Sequence, residues 1–411
     1  MSYGTVETPL AAPDWNLAIP LHNWLNTVQV ETSFQTVITS AADSVSEERR
    51  ALLGYPGRIV SFSWTGLSRS ALNKILINLR NISSGTWVAP LYPDQAPLTV
   101  AYASGTTLYC STLLRRFFAG GRVVVLGLGT SGEVDHFEFQ TIDSVADAHL
   151  VLDGELSNTY SVGRTLIMPC IDVMAVLDPQ IDFHTRRAGS VNIVAQEVVG
   201  PSLLPGWEGV PSGFSTFQDI PILHIEHNWV QDLSTTFLRE GSHEALGRGM
   251  VTHLRGDRAR VSQTVSVLME REDALGLLRF FECRLGRTLP FWMPDPENVW
   301  DPLALGASSI NIEPEGEFED FEADLEYVAI RDINGDVTVR EVDEIVDNST
   351  YWTVSFTSAL PVGLLLANIS SVARARLVRF DSDAMEETWH TDETMETQFS
   401  VIELLEEGEV E

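Results

Sequence analysis

The stretch RVVVLGLGTSGEVDHFEF, Arg122 to Phe139, holds Gly127, Gly129 and Gly132 in the order G-x-G-x-x-G behind an apolar run. In a dinucleotide-binding turn such glycines let the backbone approach a pyrophosphate seated on the N-terminus of the next helix. Here Glu133 to Phe139 alternate polar and apolar, the period of a strand. The glycines are read as a hairpin, and no nucleotide is expected. His224 and His227 stand in an H-x-x-H spacing within IPILHIEHNWV. On a strand that spacing sends two imidazoles to opposite faces, so no shared metal is expected. Asp332, Asn334 and Asp336 in RDINGDVTVRE resemble the oxygen ligands of a calcium loop. The spacing and glycine position of an EF-hand are missing, and a solvated hairpin tip is the reading. Cys110, Cys170 and Cys283 are scattered, without a C-x-x-C pair, which predicts buried thiols and neither disulfides nor zinc.

A serine nucleophile elbow, a framed pair of catalytic carboxylates and a phosphate loop are all missing from the sequence. The expectation is a protein that is not an enzyme, with no catalytic, cofactor-binding or metal-ligating residue and no cofactor. Charge narrows the partners. The 411 residues carry 26 basic and 58 acidic side chains, a formal net charge of −32. Residues 1–205 account for −6 of it and 206–411 for −26. Such a field repels nucleic acid, which excludes sequence-specific binding yet suits a surface past which DNA slides. Eight acids crowd into EPEGEFEDFEADLE, residues 313–326, and twelve more lie in the last 31 residues. These runs read as solvated faces or tails, with a cation or basic partner as the alternative. No apolar run reaches the 18 or more residues of a membrane helix, and the start lacks a signal-peptide layout. Synthesis in a cytosol without membrane insertion is expected.

The elements that would position these residues come in duplicate. His22-Asn23-Trp24 recurs as His227-Asn228-Trp229, Ala71 pairs with Ala274, and Pro90 with Pro294. Gly132 falls on Gly335, Leu156 on Leu360 and His184 on His390. The near-constant offset predicts two copies of a unit of about 205 residues. By this alignment GLGTSGE corresponds to RDINGDV, an Asn-Gly turn, which supports the hairpin reading. The repeated His-Asn-Trp is read as a corner in which Trp fills the core while His and Asn bond backbone. Each copy is mostly strand-like, with one helix: 68–80, with Ser68 as N-cap and an apolar face at Ala71, Leu72, Ile75, Leu76 and Leu79, and 273–285, with Ala274, Leu275, Leu277, Leu278 and Phe281.

The predicted fold class is mainly β, with two subdomains per copy. A β-sandwich with one flanking helix covers 1–97, and a small β-barrel or sandwich covers 98–199. A Gly- and Pro-rich linker at 200–213 joins the second sandwich, 214–303, to a second small β subdomain with an acidic tail, 304–411.

The stretch DALGLLRFFECRLGRTLPFWMPD, on reaching Phe280–Asp295, resembles a segment of minor tail proteins of long-tailed bacteriophages. PLTVAYASGTTLYCSTLLRRFFAGGRVVVLG and WVAPLYPDQ look like segments of phage virion proteins around the tail tip. The first-copy helix departs from this, with Asn81 and Ile82 where Arg284 and Leu285 stand in the second. The resemblance implies a tail-tube-like sandwich that assembles into rings, with an acidic channel for DNA and no enzyme chemistry. The expected protein is a structural component of the tail tip or baseplate, assembled in the host cytoplasm and resident in the virion. A trimer of duplicated chains would give a pseudo-six-fold ring between the tail tube protein and other tip proteins. The alternatives are a hexameric distal-tail ring that attaches host carbohydrate or a receptor-binding protein, and a tail-associated cell-wall hydrolase.

Overall fold

The computed structural model describes residues 27–40, 47–52, 56–69, 72–73, 75, 87–130, 134–176, 180–186, 188–198, 214–238, 241–246, 249–254, 259–313, 325–348 and 350–404. Gly132, Trp24, the linker 200–213, most of the acidic run 313–326 and the end of the acidic tail lie outside them.

The described chain is mainly β. Its first half carries β1 (Val28–Ser33), β2 (Thr36–Ser40), β3 (Glu47–Ala51), β4 (Gly57–Ser68), β5 (Trp87–Pro90), β6 (Ala96–Pro97) and β7 (Thr107–Tyr109). These are followed by β8 (Arg122–Leu128), β9 (Val134–Ala146), β10 (His149–Leu152), β11 (Thr165–Ala175), β12 (Gln180–Phe183) and β13 (Ala188–Glu197). The second half carries β14 (Thr216–Phe217), β15 (Ile220–Pro221), β16 (Ser234–Leu238), β17 (Gly241–Leu246), β18 (Gly249–Leu254) and β19 (Arg260–Glu270), then the helix Arg271–Cys283. After the helix come β20 (Phe291–Trp300), β21 (Pro302–Leu305), β22 (Ser309–Ile312), β23 (Tyr327–Asp332), β24 (Val337–Asp347), β25 (Trp352–Phe356), β26 (Ile369–Phe380), β27 (Ala384–Trp389) and β28 (Thr394–Glu403).

These elements gather into two compact units. The first takes Met1–Val30, Arg58–Leu204 and Thr388–Glu393; the second takes Glu31–Gly57, Pro205–Glu387 and Thr394–Glu411.

In the first unit β11 serves two ladders. Its residues Thr165–Cys170 pair with β8, and further on Val173 faces Trp87 of β5 and Glu197 of β13. From β8 the ladder continues to β9, β10 and β7, while β13 pairs with β4. Val123 to Leu126 are all buried, so β8 reads as a continuous apolar run, as a strand covered on both faces does. β13 instead buries Val191, Ile193 and Ala195 and exposes Asn192, the alternation of a half-covered strand. One compact core, including Leu98, Leu108, Val125, Ile142, Leu150 and Ile167, fills the small subdomain. Each such side chain contributes roughly 1.5–3 kcal/mol when fully buried.

The second unit uses β26 in the same way. Val328 of β23 faces Arg374, and Val378 faces both Phe291 of β20 and Glu403 of β28. β28 pairs with β19 over most of its length, from Glu270 opposite Thr394 to Ser262 opposite Ile402. Bonds beyond the strands follow suit. Val176 N–H donates to Val194 O and Val198 N–H to Asp172 O; Asp381 N–H donates to Ser400 O and Leu404 N–H to Leu377 O. Matching positions in these ladders lie 204–206 residues apart. A second small core includes Trp300, Ile310, Val328, Val354 and Val372.

Three expectations differ from what is observed. The sequential division at 97/98 and 303/304 does not follow the sheets, because β13 and β28 return to pair with β4 and β19. A long strand shared by two ladders, β11 or β26, carries the chain out of each small core and back. The second helix spans Arg271–Cys283, two residues earlier than 273–285, with Glu270 at the N-cap and Glu272 and Asp273 in the acidic first turn. It ends where Leu285 and Gly286 turn to positive φ, 52° and 61°. Third, IPILHIEHNWV is a strand only at Ile220–Pro221, with an isolated bridge from Ile222 to Trp292. Of the first helix, Arg69, Leu72, Asn73 and Ile75 are helical, and Leu72 and Ile75 are buried as expected.

Candidate assembly site

The residues singled out for chemistry prove to be occupied with the backbone. β8 and β9 are antiparallel neighbours with Gly127 opposite His136, so the glycine-rich stretch joins two strands and no helix follows it. A Cβ on Gly127 would lie 2.5 Å from His136 Nε2, and this close ring explains the glycine. Gly335 has φ +90° in the corresponding turn, and Asp332 Oδ1 accepts the N–H groups of Asn334 and Asp336 at 2.8 and 2.9 Å. The carboxylate that resembled a calcium ligand closes an Asx turn. No group of three His, Cys, Asp or Glu side chains among the described residues is arranged to hold a metal. All three cysteines are buried free thiols, and burial pushes the Cys110 thiol up to about 12.

Of the two His-Asn-Trp corners, His22, Asn23 and Trp24 lie outside the described residues, and the second holds for two of its three residues. Ser266 N–H donates to His227 Nδ1 at 3.2 Å, which leaves the ring proton on Nε2 to reach Gln231 O at 3.0 Å. Asn228 Oδ1 accepts the N–H of Val230 at 3.2 Å. Trp229 does not fill the core: it is 69% exposed, beside an exposed Val230. The two aspartates that close the post-helix segments are both buried pins. Asp94 Oδ2 accepts from Arg116 Nε at 2.6 Å, and Asp295 takes Arg376 at 2.8 Å and Gln263 at 3.0 Å.

One cleft of about 610 Å³ opens in the second unit beside the helix, lined among others by His224, Glu226, Glu270, Asp273 and Arg331. Burial, and then the charge of Arg331, lowers the His224 pKa to about 4, so the imidazole is neutral. Glu226 is bonded to Arg331, whose hydrogen bond and charge hold its carboxyl low. Among the described residues the lining supplies an imidazole, carboxylates and a guanidinium but no hydroxyl or thiol nucleophile.

The best-built polar and aromatic contacts belong to a hairpin. Phe34 and the β2–β3 ribbon come early in the chain yet complete the second unit. Phe34 is 5% exposed and meets Phe281 edge-on, ring centres 5.8 Å apart. Its N–H donates to Asp383 O at 2.8 Å. Thr36 then gives its N–H and hydroxyl to the Asp383 carboxylate at 2.8 and 2.7 Å, and Arg287 reaches the same carboxylate at 3.2 Å. At the far end Glu47 bridges two buried guanidiniums, Arg260 at 2.6 Å and Arg379 at 3.0 Å. Burial alone would raise its carboxyl pKa, but hydrogen bonds and charge from Arg379 and Arg260 bring it below the usual range. A Cβ on Gly286 would stand 2.9 Å from Asp383 Oδ1 and 3.4 Å from Phe34 Cβ, so the helix cap is shaped to this ribbon.

The first unit is completed in turn by Thr388–Glu393, the end of β27 and the turn that leads into β28. Trp389 is fully buried, and Gln95 Nε2 donates to Asp392 Oδ2 at 3.2 Å. Sequence reasoning found none of these contacts. The one available signal was the phenylalanine that ends each of two similar blocks, Phe34 in VETSF and Phe237 in STTF. No protein-family profile matches the chain, and no curated protein sequence is similar to it.

Proposed function

We propose that this chain is a structural protein of the tail tip or baseplate of a long-tailed phage, built by tandem duplication and free of enzymatic activity. Three chains form a pseudo-six-fold ring that joins the tail tube to the tip and surrounds the DNA channel. The observation that carries this reading is the repetition of ladder registers 204–206 residues apart, Val173 with Trp87 and Glu197, Val378 with Phe291 and Glu403. A doubled unit in one chain suits a ring whose neighbours have different symmetries, because three chains then offer six similar units. A net charge of −32 is compatible with passage of DNA without adhesion.

Attachment of host carbohydrate would call for grouped exposed aromatics on the small cores. Among their described residues Tyr109 alone is a strongly exposed aromatic, so no observation favours that alternative. Negative-stain images of the purified chain test the proposal: rings of three chains with six lobes are expected. A monomer at every concentration, or hydrolysis of peptidoglycan by the pure protein, would refute it.

A further inference from the structure

Each half of the chain carries a similar ribbon, and the phenylalanines that precede the two ribbons are covered unequally. β2–β3 and β17–β18 are both two-stranded sheets paired to no other described strand. Each follows a phenylalanine, Phe34 or Phe237, and each leads after an equal number of residues into the long strand β4 or β19. Phe34 is buried in the second unit, whereas Phe237 is 71% exposed. The other connection shows the same imbalance. Trp389, at the end of β27, is fully buried in the first unit, while its counterpart Phe183, at the end of β12, is 48% exposed.

The surfaces that would receive these groups are open as well. Arg379 and Asp381 sit where β26 meets β28, and Arg379 is covered by Glu47. The same register places Met174 and Val176 at these positions in the first unit, and both are exposed, as is Val198 where Leu404 is buried. The seated joint is ionic. The open one is apolar on its receiving side, and the sequence of β18, which corresponds to β3, holds Met250 and Val251.

We infer that the partner of these faces is a second copy of this chain: the β17–β18 ribbon and Phe237 of one chain dock on the first unit of the next, around Met174 and Val176, while Phe183 of that next chain docks back on the second unit of the first. Within a chain the first half gives its ribbon to the second unit, and between chains the second half gives its ribbon to the first unit of the next, so every joint has the same direction. A head-to-tail contact of this kind closes into a ring or runs on as a filament. The inference rests on the proposed self-assembly but not on the assignment to a phage tail.

The test uses the full chain in light scattering after size exclusion. Wild type is expected to assemble, and Phe237→Asp and Phe183→Asp each to weaken assembly at least tenfold, with circular dichroism and thermal midpoint unchanged. Met174→Cys combined with Met250→Cys or Val251→Cys is expected to yield disulfides between chains, seen as a covalent ladder on non-reducing gels. Assembly of Phe237→Asp at wild-type strength, together with linkage only within a chain or none, overturns this joint and leaves self-assembly standing. A wild-type chain that stays monomeric and unlinked removes both.

Discussion

A methyl group at Gly127 would collide with the His136 ring, so Gly127→Ala is expected to destabilise the protein by about 1–3 kcal/mol. The measurement is a urea midpoint, and added nicotinamide dinucleotide should restore none of it. His224 makes a second prediction. Its folded pKa of about 4 lies below the ordinary 6.5, so as pH falls the unfolded chain takes up the proton first. The contribution to stability is whole above pH 6.5 and drains away between 6.5 and 4, by at most about 3 kcal/mol. The thermal midpoint should decline across that window, and His224→Phe should flatten the decline; an unaltered slope would count against burial as the cause. At this scale much was legible. The period of residues 133–139 identified the hairpin, and the polarity of His227 and Asn228 identified them as backbone binders. Trp229 was misread because hydrophobicity says that a side chain seeks cover, not which surface provides it.

The β2–β3 ribbon is held at its two ends by Glu47 and Asp383, and the ends can be tested separately. Glu47→Ala strips a shared carboxylate from two buried guanidiniums and should cost about 3–5 kcal/mol in the urea transition. Glu48→Ala, next in sequence and exposed, should stay within about 0.5 kcal/mol. Gly286→Ala meets both a φ of +61° and the Asp383 carboxylate, and should lower stability by about 1–3 kcal/mol. The strands and the helix face at Ala274, Leu275, Leu277 and Leu278 follow from local patterns of apolar residues. The seating of the ribbon does not, since Thr36 and Asp383 are 347 residues apart and no local periodicity encodes such a partner. The subdomain boundary was missed for the same reason: β13 alternates as any half-covered strand does, whichever sheet it joins.

For the molecule as a whole, the net charge of −32 opposes the approach of like chains. Raising salt from about 20 to 300 mM shortens the screening length severalfold, so self-association should strengthen, as sedimentation velocity would record. Weakening with salt would point to an ionic joint instead of an apolar one. The interleaving of segments also fixes an order of events during synthesis. Phe34 and the β2–β3 ribbon leave the ribosome early, while the unit that seats them is encoded from Pro205 onward. Thr388–Glu393, which completes the first unit, is made almost last. A nascent first half therefore waits with an unpaired ribbon until the C-terminal strands emerge, and long-range closure of this kind is slow. Residues 1–204 and 205–411 expressed separately should each aggregate, and their co-expression should restore solubility. Chains translated side by side on one message meet while that ribbon is still open, so the moment of release decides whether it closes on its own chain or on a neighbour's.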